Sequence, residues 1–291
     1  MVYLLVVSLL WGFSFGLVKT EFSGLSGATL ALLRLAIALP CFVPFLKAPF
    51  RKASLPNLRL AAIGAVQYGL MYVALFSAFS HLTGYEVALL TIFTPLYVIL
   101  SDAILGRRLP PAWFWITSAL AIAGAFWIFQ PETLPHKWRG ILLMQLANIC
   151  FAGGQVAYRR HRREQKDIRD IDCYALLYLG AVLAALPFAL FHEPIREIRF
   201  LDPQQWLALL YLGTIASGLG FFLWNAGAVR VNPATLAVFN NLKIPLATLI
   251  SVLVFREEAA LGQLVPGMAV LLLALAWAET AHRGVLTSRK Q

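Results

Sequence analysis

The sequence predicts an all-α membrane protein with ten transmembrane helices, arranged as two inverted five-helix repeats. Its 291 residues are 60% hydrophobic and only 13% charged, with a mean hydropathy of +0.74, whereas soluble domains have about 45–50% apolar and about 25% charged residues. Apolar runs of about 18–25 residues, the length that crosses a bilayer, recur along the chain. The basic residues give a net charge of +10 and fall mainly in short runs between these segments.

Ten apolar runs define the predicted helices. The first five cover residues 3–20, 27–46, 58–80, 84–105 and 111–129, and the second five cover residues 140–158, 173–191, 205–228, 233–255 and 261–280. We expect the first helix to be retained rather than cleaved as a signal peptide, since no basic segment precedes it. The longest polar gap, residues 159–172, is expected to be a solvated loop. The two repeats are assigned to residues 1–130 and 139–291.

The positions of Lys and Arg predict that both termini are cytoplasmic. In that orientation sixteen of these residues lie in cytoplasmic segments, six lie outside, and Arg34 and Lys243 lie within helices, which agrees with the positive-inside rule. The basic loop at residues 47–52 has a counterpart at residues 193–202 in which acidic residues balance the basic ones. This loss of bias is expected when a second five-helix unit enters the membrane from the opposite side.

Four short motifs occur in order along the chain: Trp11-Gly12-Phe13-Ser14-Phe15-Gly16, Arg34, Thr94-Pro95-Leu96 and Lys243-Ile244-Pro245-Leu246. Together they resemble the EamA branch of the drug/metabolite transporter superfamily over essentially the whole chain. Members usually have Gly-Glu after helices 4 and 9, where this chain has Gly106-Arg107 and Arg256-Glu257. The resemblance implies a ten-helix exporter of amino acids or other small metabolites, with amphipathic drugs as a further class of cargo.

Lys243 is the main candidate for binding the cargo. A charge at bilayer depth costs at least about 2.5–3.5 kcal/mol on insertion scales, and Lys243 lies ten residues into the predicted ninth helix. Asn240 and Asn241 offer amide groups beside it, and Pro245 removes a backbone hydrogen bond nearby. We expect Lys243 to bind a carboxylate or phosphate, or to change protonation during transport. The alternative is a structural ion pair.

Polar and aromatic residues inside other helices outline the rest of the candidate binding site. Amide side chains are disfavoured toward lipid and are expected to face the bundle interior. The candidates are Trp11, Ser14, Tyr68, Tyr72, Trp224 and Asn225, with Gln67, Gln145, Asn148 and Gln155 as further polar positions. Any one of them would serve equally well in ordinary packing between helices.

Prolines and the remaining buried charges complete the predicted set. Pro95 and Pro245 are candidate kink or gating positions. Arg34 has two interpretations: it binds an anion, or it pairs with Glu86 or with carbonyl groups at a helix end, which we favour. Glu86 and Asp102 are expected to form interfacial or gating ion pairs. The absence of an acidic residue near any helix centre weighs against a dedicated exporter of cations.

The sequence thus predicts a secondary transporter of a bacterial-type inner membrane that exports amino acids or related carboxylate-bearing metabolites by alternating access. No P-loop, dinucleotide fingerprint or metal-binding His pair occurs, so no enzymatic activity, cofactor or metal is expected. The expected partners are a small-molecule cargo and the lipid bilayer, and nucleic acid is not expected. We expect the protein to be a monomer. Two alternatives remain: a multidrug exporter of amphipathic compounds, and a non-transporting sensor or scaffold.

Overall fold

The computed structural model describes residues 2–47, 54–110, 112–128, 134–165, 169–191, 198–230, 244 and 246–256, with residues 262, 265–270, 272–273, 276–277 and 280. Within these ranges every regular element is helical. Seven of the described helices are long and apolar enough to cross a membrane. The protein is therefore an all-helical protein with the composition of a membrane bundle.

Eight helices are described from end to end, and further helical residues occur at 246–253 and 265–270. The eight are α1 (Val2–Glu21), α2 (Gly27–Phe45, which ends in two 3₁₀ turns), α3 (Leu55–Ala78), α4 (Gly84–Leu105), α5 (Ala112–Ile128), α6 (Leu134–Glu164), α7 (Asp170–Phe191) and α8 (Pro203–Arg230). All except α5 are among the seven apolar spans. Seven of the eight begin and end within three residues of the predicted bounds.

The prediction for the sixth helix was wrong, because α6 extends six residues beyond both predicted ends. Residues 159–164 of the expected loop at 159–172 are therefore helical, and α7 begins within it at Asp170. The extension is stabilised by Arg162, which donates to the Asp170 carboxylate over 2.8 Å and to the Gln165 carbonyl over 2.7 Å. Basic side chains in the last helical turn also interact favourably with the helix dipole.

The contacts between helix termini define two ends of the bundle. At one end, which we call the Glu21 end, Gln205 donates to the Glu21 carbonyl and Lys19 to the Phe79 carbonyl, both over 2.7 Å. At the other, which we call the Lys47 end, Lys47 pairs with Asp172 over 2.9 Å. Consecutive helices run in opposite directions between these two ends.

Side-chain caps fix the start of three helices at the Glu21 end. The Ser26 hydroxyl accepts from the Thr29 backbone N–H at the start of α2. Reciprocal capping boxes begin α4, with Thr83 and Glu86, and α8, with Asp202 and Gln205. Because these caps satisfy backbone donors that have no partner within the helix, they stabilise the termini of helices that carry site residues.

Three helices depart from regular α geometry in their middle. A π-helical segment spans Ala65–Leu70 in α3 and another spans Tyr211–Leu219 in α8. In α4 a 3₁₀ turn at Thr91–Phe93 precedes Pro95, which lies in the first turn of the helix that follows. Such interruptions redirect side chains and frequently occur at functional sites.

Close helix packing brings the two halves of the chain together. Helix α3 packs on α7 and on α6, while α8 packs on α2 and on α1. At the contact between α3 and α7, a Cβ atom on Gly64 would lie 1.9 Å from the Leu177 carbonyl oxygen. At the contact between α8 and α2, a Cβ on Gly213 would lie 3.3 Å from the Arg34 carbonyl oxygen. Glycine is needed at position 64 because no side chain fits there.

Candidate functional site

A cavity of about 590 Å³, its open side included, lies inside the bundle. It extends from the middle of the helices toward the Glu21 end. It is lined by Trp11, Ser14, Phe15, Val18, Arg34, Met71, Tyr72, Leu75, Phe76, Phe79, Thr91, Thr94, Met144, Ala147, Asn148, Phe151 and Phe221. Its size falls within the range of about 300–1,000 Å³ that small-molecule sites occupy.

Of the described residues that line this cavity, Arg34 is the charged one. It is only 2% exposed, and its guanidinium lies 4.8 Å from the ring centroids of both Tyr72 and Phe76. Arg34 Nε donates to Ser217 Oγ over 3.1 Å, and Nη2 donates to the Tyr72 hydroxyl over 3.1 Å. Within the described residues no carboxylate pairs with Arg34. An arginine stays charged in proteins and has five N–H donors, so it can bind an anion that enters the cavity.

The π-helical segment of α8 holds Arg34 in place. Ser217 lies in this segment and donates its hydroxyl to the Leu212 carbonyl over 2.8 Å, which leaves its oxygen to accept from Arg34. The Tyr72 hydroxyl lies 2.9 Å from the same oxygen. The segment also accepts hydrogen bonds from Trp11 Nε1, at the Ala216 carbonyl over 2.9 Å, and from Tyr178, at the Ser217 carbonyl over 2.8 Å.

A neutral polar group lies on the α4–α6 side of the cavity. Asn148 accepts from the Thr94 hydroxyl over 3.0 Å and donates to the Leu90 carbonyl over 2.8 Å. This carbonyl precedes the 3₁₀ turn of α4, so the departure from α geometry allows a side chain to reach it. An amide has two donors and a carbonyl with two lone pairs, and Asn148 therefore keeps hydrogen-bonding capacity for a cargo.

Aromatic rings form most of the remaining wall. The Trp11 ring lies 5.0 Å from Phe221, 5.1 Å from Trp224 and 6.2 Å from Phe151, measured between centroids. Tilted and edge-on arrangements at such distances are favourable for aromatic pairs. Among the described residues, the cavity therefore combines the Arg34 cation, the Asn148 amide and a broad apolar surface.

Tyrosines close the cavity on the side of the Lys47 end. The Tyr68 and Tyr174 hydroxyls lie 2.7 Å apart, and Asn225 donates to the Tyr68 hydroxyl over 2.7 Å. The Tyr174 hydroxyl also donates a hydrogen bond to the Phe221 carbonyl over 2.7 Å. All three side chains are at most 1% exposed. Closer to the Lys47 end, Tyr158 donates to the Asp170 carboxylate, which also binds Arg162.

The predicted binding residues fall into three groups. Trp11, Ser14 and Tyr72 line the cavity. Tyr68, Trp224 and Asn225 lie beneath it and are buried. The third group lies outside the described residues and consists of Asn240, Asn241, Lys243 and Pro245.

The three charges predicted as an ion-pair set have separate partners. Glu86 pairs with Lys137 over 2.6 Å, and Asp102 pairs with Arg160 over 3.1 Å and with Arg108. Arg34 instead contacts the neutral groups described above, so the favoured pairing of Arg34 with Glu86 is not formed. The reason is geometric: Glu86 caps the first turn of α4 at the Glu21 end, whereas Arg34 lies eight residues into α2.

Several site residues lacked a signal in the sequence. Ser217, Phe151 and Phe221 are an ordinary serine and two phenylalanines in apolar helices, and nothing in their spacing singled them out. Ser217 became visible only through the π-helical geometry that turns it toward Arg34. Among the described residues no group of three or more His, Cys, Asp or Glu side chains is arranged to bind a metal ion.

Comparisons with known proteins agree with a membrane carrier. A family model described as the EamA-like transporter family matches residues 1–130 and 138–279. The biotin transporter of Salmonella typhimurium is 36% identical over 282 residues, which are 94% of this chain and 91% of the relative. The probable biotin transporter of Pseudomonas aeruginosa is 36% identical over 278 residues, 94% and 95% of the two chains. The biotin transporter of Escherichia coli K12 is 34% identical over 277 residues, 94% and 91% of the chains. A solved crystal structure with 22% identity superposes with a TM-score of 0.69 over 95% of both chains and shares the fold.

Proposed function

Since the chain belongs to the EamA-like transporter family and is an integral protein of a bacterial-type inner membrane, we propose that it is a secondary transporter of small organic carboxylates. The observation that carries this proposal is Arg34. It is a buried cation that borders the cavity and has no carboxylate partner in the described part of the chain. A charge this deep in a bilayer is costly and usually has a function.

Biotin is the first cargo to test. It carries a carboxylate on an alkyl chain and a cyclic urea on a sulfur-containing ring, and the similar proteins named above are biotin transporters. Arg34 would bind the carboxylate, the aromatic wall would contact the chain and ring, and Asn148 would bind the urea. Bidentate arginine–carboxylate pairs are among the stronger hydrogen-bonded contacts in proteins. Amino acids, the cargo class expected from the sequence, share the carboxylate and belong in the same assay.

We propose that transport follows alternating access between two inverted repeats, residues 1–130 and 139–291. Exchanging the repeats converts the pairing of α3 with α7 into that of α8 with α2, and both pairings occur. Gly64 and Gly213, at the equivalent contacts, are 149 residues apart (213 − 64). Pro95 and Pro245, in the two proline motifs, are 150 residues apart (245 − 95). Each glycine also adjoins or lies within a π-helical segment. This correspondence supports a two-fold relation in the membrane plane.

The positive-inside rule supports a cytoplasmic location for the Lys47 end and for both termini. In that orientation the cavity extends toward the outside, and the tyrosine layer of Tyr68 and Tyr174 closes the cytoplasmic side. The carrier then exists here in an outward-facing form. No P-loop occurs in the sequence, so ATP does not drive this chain directly. The gradients of cargo and of any coupled ion then set the direction of net transport, and they also drive the export that the sequence predicts.

Lys243 remains the alternative anion-binding residue from the sequence. The two assignments, to Lys243 and to Arg34, lead to different expected KM values. If Arg34 binds the carboxylate, its substitution raises the KM for every carboxylate cargo, whereas Lys243→Met leaves KM unchanged. If Lys243 is the anchor, the two results are exchanged.

The aromatic wall also favours a second candidate function, which is the export of amphipathic drugs. Trp11, Phe151 and Phe221 provide a surface that many apolar compounds would contact. However, the cation of Arg34 disfavours lipophilic cations in the same space, since like charges and incomplete solvation raise the free energy of the complex. This candidate predicts dye efflux that persists, or increases, when Arg34 is neutralised.

The direct test is counterflow of labelled biotin into proteoliposomes preloaded with unlabelled biotin, with an amino acid panel in parallel. Arg34→Gln keeps hydrogen-bond donors near Ser217 and removes the charge, and Arg59→Gln, an exposed position on α3, is the matched control. A charged hydrogen bond contributes about 1.5–3 kcal/mol, so we expect KM to rise about tenfold to a hundredfold. Counterflow with unchanged KM in Arg34→Gln would refute the assignment of the anchor, and no counterflow of any carboxylate would refute the function.

A further inference from the structure

Three buried polar atoms below the cavity have no hydrogen-bond partner within the part of the chain that the structure describes. They are Gln67 Oε1, Gln155 Nε2 and Trp224 Nε1. Their residues are 0%, 2% and 1% exposed, respectively. Nearly all buried polar groups in proteins have a partner, because an unpaired one costs free energy. Three such atoms on neighbouring helices therefore indicate a site that is filled in another state.

These residues form one layer, displaced from the cavity toward the Lys47 end. Gln67 lies four residues before Met71 on α3, and Gln155 lies four residues after Phe151 on α6. Trp224 follows Phe221 by three residues on α8. Because Met71, Phe151 and Phe221 line the cavity, each polar residue lies about one helical turn, roughly 5–6 Å, below it.

Contacts made by these residues and by their chain neighbours show that the three helices adjoin at this level. A Cβ atom on Gly154, next to Gln155, would lie 2.3 Å from Gln67 Cβ, so α6 and α3 touch at this level. Gln67 Nε2 donates to Asn225 Oδ1 over 3.3 Å, which connects α3 to the residue after Trp224. The Trp224 ring lies 6.4 Å from that of Phe151 on α6. The three unpaired atoms therefore belong to residues at one level of three adjoining helices, α3, α6 and α8.

The tyrosine layer lies beside these atoms, since Tyr68 directly follows Gln67 on α3 and Asn225 directly follows Trp224 on α8. Asn225 donates to Tyr68, whose hydroxyl meets that of Tyr174 on α7. In the proposed cycle, opening at this end separates α7 from α3, whose contact includes the Tyr68–Tyr174 hydrogen bond. That movement breaks the Tyr68–Tyr174 hydrogen bond and exposes the layer to the solvent on the Lys47 side.

The unpaired atoms offer two N–H donors and one carbonyl acceptor. A secondary amide matches this complement fully, since its carbonyl accepts two hydrogen bonds and its N–H donates one. A cyclic urea matches it through its carbonyl and one of its two N–H groups. We propose that Gln67, Gln155 and Trp224 form a second binding station for a neutral amide or urea group of the cargo, occupied when the carrier opens toward the Lys47 end. This inference rests on the proposed transport function and adds a site that acts from one side of the membrane only.

The test compares the two faces of the protein. Right-side-out and inside-out membrane vesicles present the Glu21 and Lys47 ends, respectively, and counterflow is measured with biotin, which has a urea, and with octanoate, which has a carboxylate and no urea. The variants are Gln155→Leu and Trp224→Phe. Each removes one unpaired donor and puts an apolar side chain of similar shape in its place. Trp206→Phe, at the opposite end of α8 and 39% exposed, is the matched control.

In inside-out vesicles we expect both variants to raise the KM of biotin about tenfold, or about 1.4 kcal/mol, and to leave that of octanoate within twofold. In right-side-out vesicles neither cargo should change by more than twofold, and the control should match the unmodified protein throughout. A biotin KM that is unchanged in inside-out vesicles, or raised equally on both faces, overturns the station.

The outcomes separate this inference from the proposed function. If the unmodified protein exchanges no carboxylate, with the amino acid panel included, the proposed function fails. The station is then measured by binding of imidazolidin-2-one, a cyclic urea without a carboxylate, to the full-length protein in detergent. At least tenfold weaker binding by Gln155→Leu than by the unmodified protein supports the station. Equal binding, or none by the unmodified protein, overturns it.

Discussion

The adjacent glycines Gly153 and Gly154 allow a matched test of the packing beneath the cavity. Both lie in the middle of α6, where Gly→Ala gains about 1 kcal/mol of helix propensity if space allows. A Cβ on Gly153 would meet only Ser101 Oγ, 3.9 Å away. A Cβ on Gly154 would lie 2.3 Å from Gln67 Cβ and 2.8 Å from Gln67 Cα. The two substitutions therefore add the same atom to opposite environments.

The expected magnitudes follow from these distances. Ordinary van der Waals contact begins near 3.4 Å, so Gly154→Ala requires α3 and α6 to separate by at least 1.1 Å (3.4 − 2.3), and the obstructing atoms include backbone. Overpacking costs about 1–3 kcal/mol, and the backbone contact favours the upper value of about 3 kcal/mol. After the gain in propensity, Gly154→Ala should lose about 2 kcal/mol, whereas Gly153→Ala should gain up to about 1 kcal/mol.

Thermal unfolding of the purified variants in detergent, followed by tryptophan fluorescence, measures the difference. A change of about 3 kcal/mol between the two variants corresponds to roughly 6–12 °C in Tm for a protein of this size class. Counterflow should fall in Gly154→Ala alone, because the displaced Gln67 adjoins the cavity floor. Equal Tm values for the two variants, or a more stable Gly154→Ala protein, would refute the packing of α3 against α6.

Two further predictions concern single polar contacts. Glu86→Gln should lower the free energy of unfolding by about 2 kcal/mol, between the values for exposed and buried ion pairs, because the Glu86 side chain is only 4% exposed to solvent. Asp102 is 40% exposed, so Asp102→Asn should change the free energy of unfolding by less than about 1 kcal/mol in the same melting experiment. Trp11→Phe keeps an aromatic ring but leaves the Ala216 carbonyl without the indole donor. The free energy of unfolding should therefore fall by about 1–3 kcal/mol. A melting curve like that of the unmodified protein would show that the π-helical segment does not depend on Trp11.

Helix positions were predictable because the bilayer imposes a strong and simple pattern. An apolar run of about twenty residues indicates a span almost regardless of which apolar residues it contains, and seven of the eight fully described helices match the predicted bounds. The exception, α6, continues through residues 159–164, where polarity suggested a loop. Hydropathy reports where the membrane ends, but a helix continues as long as local contacts such as Arg162 with Asp170 stabilise it.

The candidate site was only partly predictable, for a different physical reason. Trp11, Ser14 and Tyr72 were identified by their type, and they line the cavity. The contacts of Arg34 could not be predicted, because the depth of a charge in a helix does not reveal its partners, and Ser217 and Tyr72 come from α8 and α3. In the proposed alternating-access cycle, Trp224 and Asn225 would reach the cargo pathway in another state, because such a carrier exposes different layers of the same helices. A sequence encodes all these states at once, so it groups residues that a single conformation separates.

Arg34 also has a consequence for how the carrier cycles. In the proposed cycle, the empty carrier must reorient with this guanidinium, only 2% exposed, held without a counter-ion among its neutral partners Tyr72 and Ser217. Burying an unpaired ion costs several kcal/mol, and an ion pair with good geometry offsets much of that cost. A bound carboxylate therefore lowers the barrier for reorientation, and the loaded carrier should move faster than the empty one. We expect exchange of biotin to exceed net efflux at least tenfold in the same proteoliposomes, and this ratio to fall toward one in Arg34→Gln. A ratio that Arg34→Gln leaves unchanged would contradict a role for the Arg34 charge in reorientation.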